Sequence, residues 1–164
     1  MKARSNQSAD QRSVGAPIAT LISMTAVYER IEHLSVFYPN FESWFWDIVI
    51  PGIADGSRLV HPVMRDDRIV GVVIAKSATH EKKICTVWVE DPFKGRGLGV
   101  RLIRLGCNWL KTARPLATVP EERMSELSGI LARLGFEQTG KVLSFYRPGK
   151  TEYIYNGLGN SFNS

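Results

Sequence analysis

From Thr25 the apolar residues Val27, Tyr28, Ile31, Leu34 and Tyr38 recur at spacings of three and four. That period predicts a helix, which Pro39 stops. Asn40 is placed to cap a second helix carrying Phe41, Trp44, Phe45, Ile48 and Val49, ended by Pro51 and Gly52. Upstream, the apolar run 18–24 reads as a first strand. Between 59 and 89 the pattern is that of strands. Segments 59–64 and 68–76 flank Asp66 and Asp67 as a hairpin, and the β-branched run 83–89 reads as a buried strand.

The helical period returns after residue 97. Leu98, Leu102, Leu105 and Trp109 form one row, while Arg101, Arg104, Asn108 and Lys111 face the other way. Pro115 closes this helix and 116–119 is a short strand. Helix 121–134 follows, with Gly135 as its left-handed stop. Segments 141–146 and 151–155 pair as a closing hairpin across 147–150. The order β-α-α-β-β-β-α-β-α-β-β predicts an α/β (α+β) domain with a mostly antiparallel sheet and at least one crossover.

At 164 residues, 44% hydrophobic and 23% charged, the chain has the composition of one soluble globular domain. Collagen, a disulfide scaffold and pervasive disorder are excluded, and no apolar run is long enough for a membrane-spanning helix. Residues 1–16 read as a disordered basic arm, 17–156 as the single domain and 157–164 as a flexible tail. No apolar stretch follows the first basic residues as in a signal peptide, so the expected location is the cytoplasm, with no membrane partner. Cys85 and Cys107 lie in apolar segments and read as buried, reduced thiols. His33, His61 and His80 show no ligand spacing, so no metal is expected. The net charge of +5 is compatible with phosphates, nucleotides or nucleic acid without requiring them.

The chemistry concentrates at Gly95, Gly97 and Gly99, between a strand and a helix. Glycines let a backbone approach a ligand closely, and the first N–H groups of a helix have no internal partner. The helix dipole adds about half a positive charge there. From 92 to 120 the chain has six basic residues and no acidic one. A pyrophosphate-bearing ligand suits that charge. The spacing matches neither the P-loop nor the dinucleotide-binding fingerprint.

The segment 87–103 resembles the acetyl-CoA signature of the GNAT superfamily of N-acyltransferases: an apolar strand, a Pro-aromatic turn, then Arg/Gln-x-x-Gly-x-Gly/Ala opening a helix. Here it reads Lys94-x-x-Gly97-x-Gly99. Leu131-Ala-Arg-Leu-Gly-Phe136 resembles the end of that family's later helix. The resemblance implies a GNAT-like fold, a central twisted sheet of about six to seven strands flanked by about four helices. It implies acetyl-CoA as co-substrate and direct attack by a primary amine in a ternary complex. On this resemblance Val87, Trp88 and Val89 border the acetyl and pantetheine groups, and Lys94, Gly95, Arg96, Gly97, Leu98, Gly99 and Val100 cradle the pyrophosphate.

The acid/base residues depart from the family pattern. The glutamate common on the strand before the loop is absent, with Cys85, Thr86 and Trp88 there. Leu131 stands where a proton-donating tyrosine is common. Glu121 or Glu122 as base, and Ser128 or Tyr146 as proton donor, are the substitutes; each also has a purely structural reading. Phe37, Tyr38, Phe41, Trp44, Phe45 and Trp46 form an aromatic block suited to lining an acceptor site or to packing. Trp44 and Trp46, two apart, cannot share one helix face. Other readings remain: a non-catalytic acyl-CoA-binding regulatory module, an acetyltransferase for a nucleic-acid-linked amine such as aminoacyl-tRNA or a base, and a nucleic-acid binder. A homodimer is compatible with all of them.

Overall fold

The computed structural model describes residues 22–157. Ser23 opens helix α1 (Met24–Ile31) by accepting the N–H of Thr25 on its side chain, and a 3₁₀ turn, Glu32–Val36, extends it. Val27, Ile31 and Leu34 are buried along one stripe, as their spacing predicts. Residues 18–21 of the expected first strand lie outside the described residues, as do the expected arm and all of the tail but Gly157. Met24, the last residue of that expected strand, is helical instead, because the Ser23 cap starts the helix there.

Asn40 does not cap with its side chain. Its backbone is left-handed, with φ 63°, and its carbonyl accepts the N–H of Trp44 at 2.9 Å. The helix also does not stop at Pro51. From α2 (Phe41–Ser43) the chain widens into a π-helical stretch, Trp44–Val49, and continues as α3 (Ile50–Ala54). Proline lacks an N–H and its ring crowds the preceding turn; a wider turn immediately upstream accommodates both.

Among the described residues six strands form one sheet: β1 (Arg58–Arg65), β2 (Arg68–Ala78), β3 (Glu81–Val89), β4 (Leu116–Pro120), β5 (Gln138–Leu143) and β6 (Thr151–Tyr155). Their order is β1-β2-β3-β4-β6-β5. Only the β3–β4 pairing is parallel; the crossover that joins them contains helix α4 (Leu98–Leu110). Asp66 and Asp67 both have positive φ, 47° and 60°, the backbone a two-residue hairpin turn requires. After β4 a 3₁₀ turn, Glu121–Arg123, leads into α5 (Met124–Arg133), and Gly135 follows in the left-handed region, φ 78°.

The closing hairpin differs from the expectation at one point that matters. Strand β5 ends at Leu143 because Ser144 turns left-handed (φ 59°), so Tyr146 lies in the loop rather than on the strand. The sheet has a core on each face. Val73, Ala75 and Ala117 pack beneath Leu102, Ile103, Leu127 and Leu131 of α4 and α5. Val72, Ile74 and Trp88 pack against Val27, Ile31, Phe41 and Phe45 of the first helices. No described helix is long and apolar enough to cross a membrane.

Candidate active site

Strands β3 and β4 pair at Lys83↔Leu116 and Ile84↔Ala117 and no further. The divergence has a local cause. On β2, Ile74 lies opposite Thr86 and Ala75 opposite Ile84, so Cys85 is an extra residue, a bulge that bends β3. Meanwhile β4 stays paired with β6 through Pro120↔Glu152. A gap therefore opens in the sheet from Cys85 and Thr118 onward. Across it, the guanidinium of Arg123 donates to the carbonyl of Val87 at 2.8 Å and is held in turn by Glu126 at 3.2 Å.

On the α4–α5 face the gap leads into a cleft of about 450 Å³. Val87, Val89 and the loop residues Lys94, Gly95, Gly97, Gly99 and Val100 line one side. Ser125, Glu126, Ile130 and Arg133 of α5 line the other. Gly95 and Gly97 adopt φ of 73° and 83°, and a Cβ at either would meet nothing within 4 Å, so the loop's backbone stands bare. A Cβ on Gly99 would lie 3.2 Å from Ile130 Cδ1, which keeps the start of α4 close to α5. The N–H groups of the first α4 residues have no partner inside the helix, and the first turn closes with Arg101 N–H on Gly97 O at 3.1 Å. These donors and Arg133 suit an anionic pyrophosphate, and the narrow gap suits a slender pantetheine-like chain.

Seven of the ten residues expected at the cofactor line this cleft. Trp88 faces the opposite side of the sheet, where Arg30 stacks 5.2 Å from its ring. Leu98 packs on the core and Arg96 is exposed. The Lys94 ammonium is already paired with Asp91 at 2.9 Å, and the Lys94 backbone N–H donates to Asp91 O at 3.1 Å. The Val87 carbonyl is taken by Arg123. Arg133 carried no signal beyond its place in the last turn of α5.

On the other face lies a pocket of about 200 Å³. Tyr38, Phe41, Trp44 and Tyr146 form its aromatic walls; Lys83, Cys85, Thr86 and Thr118 face it from the sheet. A narrow passage through the gap shares Cys85, Thr86 and Thr118 with the pocket, and Val87 and Leu127 with the cleft. The two sites thus meet through the sheet opening. Within the aromatic block the π-helical stretch separates the tryptophans: Trp44 enters the pocket while Trp46 packs on Tyr28 and Phe45. Cys85 and Cys107 are free and half-buried rather than fully buried as expected, because each borders a cavity. Burial pushes the Cys85 thiol up.

Of the acid/base candidates, only Tyr146 reaches this pocket. Its hydroxyl accepts from Lys83 Nζ at 3.1 Å, and its ring meets Tyr38 edge-on at 5.3 Å. Burial pulls the Lys83 ammonium down, but Tyr146, Cys85 and Glu81 together outweigh that, so it stays charged. Glu121 accepts from Thr151 N–H at 2.9 Å and Lys150 at 3.1 Å, which hold its carboxyl below the usual range. Glu122 forms a two-pronged pair with Arg147 at 2.7 and 3.0 Å, which pulls it down to about 2. Both tie down the β5–β6 loop. Ser128 is half-buried on α5 and lines neither the pocket nor the cleft.

Glu152 is the carboxylate that the sequence reading missed. It is 2% exposed, and Oε2 is buried without a hydrogen-bond partner. Burial raises its pKa to about 7 against the opposing charges of Arg147 and Lys83. The strand alternation carried a signal for it: Glu152 shares a face with buried Ile154, opposite Tyr153 and Tyr155. Among the described residues, no group of three His, Cys, Asp or Glu side chains is placed to hold a metal ion.

Residues 22–121 match the sequence model of the acetyltransferase (GNAT) family. No curated protein sequence matches the chain. A structure assigned to the GNAT acetyltransferases from Desulfovibrio desulfuricans superposes with a TM-score of 0.66 at 16% identity, covering 82% of this chain and 92% of that one. A GNAT family acetyltransferase from Elizabethkingia anophelis, solved with acetyl-CoA bound, gives 0.51 at 13% identity, covering 67% and 87%. The ribosomal-protein-S18-alanine N-acetyltransferase from Escherichia coli gives 0.52 at 15%, covering 64% and 73%.

Proposed function

Because the chain belongs to the GNAT family of acetyltransferases, we propose that it moves the acetyl group of acetyl-CoA to a primary amine by direct attack in a ternary complex. The observation that carries this reading is the passage through the β3–β4 gap, which joins a glycine-loop cleft on one face to an aromatic pocket on the other. Two reactants entering from opposite faces meet there, which suits a one-step transfer.

Acetyl-CoA when bound supplies an activated thioester; the nitrogen–carbon bond forms as carbon–sulfur breaks, and the proton lost by nitrogen balances the one gained by sulfur. The loop residues Gly95, Gly97, Gly99 and Val100, with Arg133, hold the pyrophosphate. Backbone of Val87 and Val89 borders the pantetheine. Glu152 lines neither the pocket nor the cleft but lies near enough to Lys83 and Tyr38 of the pocket for their charges to act on one another, and with a pKa raised to about 7 by burial it takes the proton from the amine across water. Tyr146 returns a proton to sulfur: its oxygen accepts from Lys83, which leaves its own hydroxyl proton free to be donated. Glu121 and Ser128 have no part in this mechanism.

Calorimetric titration with acetyl-CoA, beside CoA lacking the 3′-phosphate, tests the cofactor assignment, and thiol release with an amine panel tests turnover. Micromolar binding with turnover is expected. Binding without turnover would leave a non-catalytic acyl-CoA module, and absence of binding would overturn the reading.

A further inference from the structure

The acceptor pocket pairs an aromatic lining with unneutralised positive charge. Arg58, Lys76, Lys83 and Glu81 are its charged lining residues. Lys76 and Glu81 neutralise each other at 2.6 Å. That leaves Arg58 and Lys83. Among the described residues the Lys83 ammonium, which has three donors, makes one hydrogen bond, and that goes to a neutral phenol. Arg58 Nε is buried without a partner, while its Nη1 donates to the carbonyl of Ser57 at 3.3 Å. Among the described residues, neither cation has a carboxylate within ion-pair distance. A half-buried cation without a counterion is costly, and a ligand anion removes that cost.

We infer that the acceptor is an amine that also carries an acid group: an amino-acid-like molecule whose carboxylate lies on Lys83 and Arg58 and whose flat or apolar body lies against Tyr38, Phe41 and Trp44. This rests on the acetyl-transfer reading. The pocket's volume of about 200 Å³ fits a body of that size and lies below the usual ~300–1,000 Å³ of pockets for larger ligands. The same cations disfavour the ammonium form of an entering amine, which favours the neutral nucleophile, and they repel polyamines. A peptide N-terminus, which carries no carboxylate beside its amine, leaves both cations unpaired.

The test compares kcat/KM for tryptophan and phenylalanine with tryptamine, phenethylamine, phenylalanine amide and spermidine, read as thiol release. The free acids are expected to be preferred by about tenfold to a hundredfold, the range of a charge-assisted hydrogen bond. Lys83→Met should bring the acid-to-amine ratio toward one, whatever it does to the absolute rate, and Lys83→Arg should keep the preference. Equal or better use of the amines or the amide by the wild-type protein would overturn the inference and leave acetyl transfer intact. If nothing in the panel turns over, calorimetry in the presence of CoA decides. Binding of the aromatic acids, lost in Lys83→Met, supports the inference, and no binding overturns it. Failure to bind acetyl-CoA would remove the acetyl-transfer reading itself.

Discussion

The guanidinium of Arg123 sits 2.8 Å from the carbonyl oxygen of Val87, across the gap where β4 has left β3. Past Ile84↔Ala117 the register holds no further pair on that side of β3. Arg123, 7% exposed, takes the place of the absent strand and keeps the edge of the opening satisfied and rigid. Arg123→Met should therefore destabilise the fold by about 1–3 kcal/mol, the cost of an orphaned buried carbonyl. Chemical denaturation measures this, and an unchanged midpoint would mean that the contact holds nothing together.

Gly97→Asp probes the loop. A Cβ there meets no atom within 4 Å, so packing is untouched. The φ of 83° costs an L-residue about 1–2 kcal/mol, which a folded domain tolerates. Gly97 lines the cleft, so a carboxylate added there should lower acetyl-CoA affinity by at least about tenfold. A folded variant with undiminished affinity would sink the pyrophosphate assignment.

Glu152→Gln should lower kcat by about a hundredfold or more and abolish the rise of rate with pH near 7, because only the carboxylate accepts the proton. Stability should move the opposite way. From its ordinary 4.5 up to about 7 the native protein binds this proton more tightly than the unfolded chain. Rising pH therefore lowers stability across that window, and the amide variant should lose the slope. Thermal melts from pH 5 to 8 on both proteins read it directly; parallel curves would place Glu152 outside the titration.

Tyr146→Phe removes the hydroxyl bonded to Lys83 and keeps the ring against Tyr38. Turnover should fall by about tenfold to a hundredfold while acetyl-CoA affinity holds, since Tyr146 does not line the cofactor cleft. Unchanged turnover would exclude it as the proton donor.

The glycine-loop cleft was legible because it is local. A strand, three glycines and a helix start lie within a dozen residues, and a backbone-built cradle depends on little else. The acid/base half was legible only in part. Tyr146 was a candidate, but its partner Lys83 lies 63 residues earlier in the chain, and the alternation of β6 only hints at the burial that singles out Glu152. Glu121 and Glu122 looked eligible at a helix start, but Lys150 and Arg147 from the closing loop claim them.

What the sequence determined by itself was the order of the elements from the first helix onward, the α/β class, the Asp66-Asp67 turn and the glycine loop. Each follows from short-range period and from backbone freedom at particular residues. Tertiary structure decided the rest. The Cys85 bulge and the pull of β6 on β4 open the sheet, and strand order brings Lys83 to Tyr146. The physical reason is that hydrogen-bond register and burial are properties of neighbouring strands, and β3, β4 and β6 become neighbours only when the sheet forms.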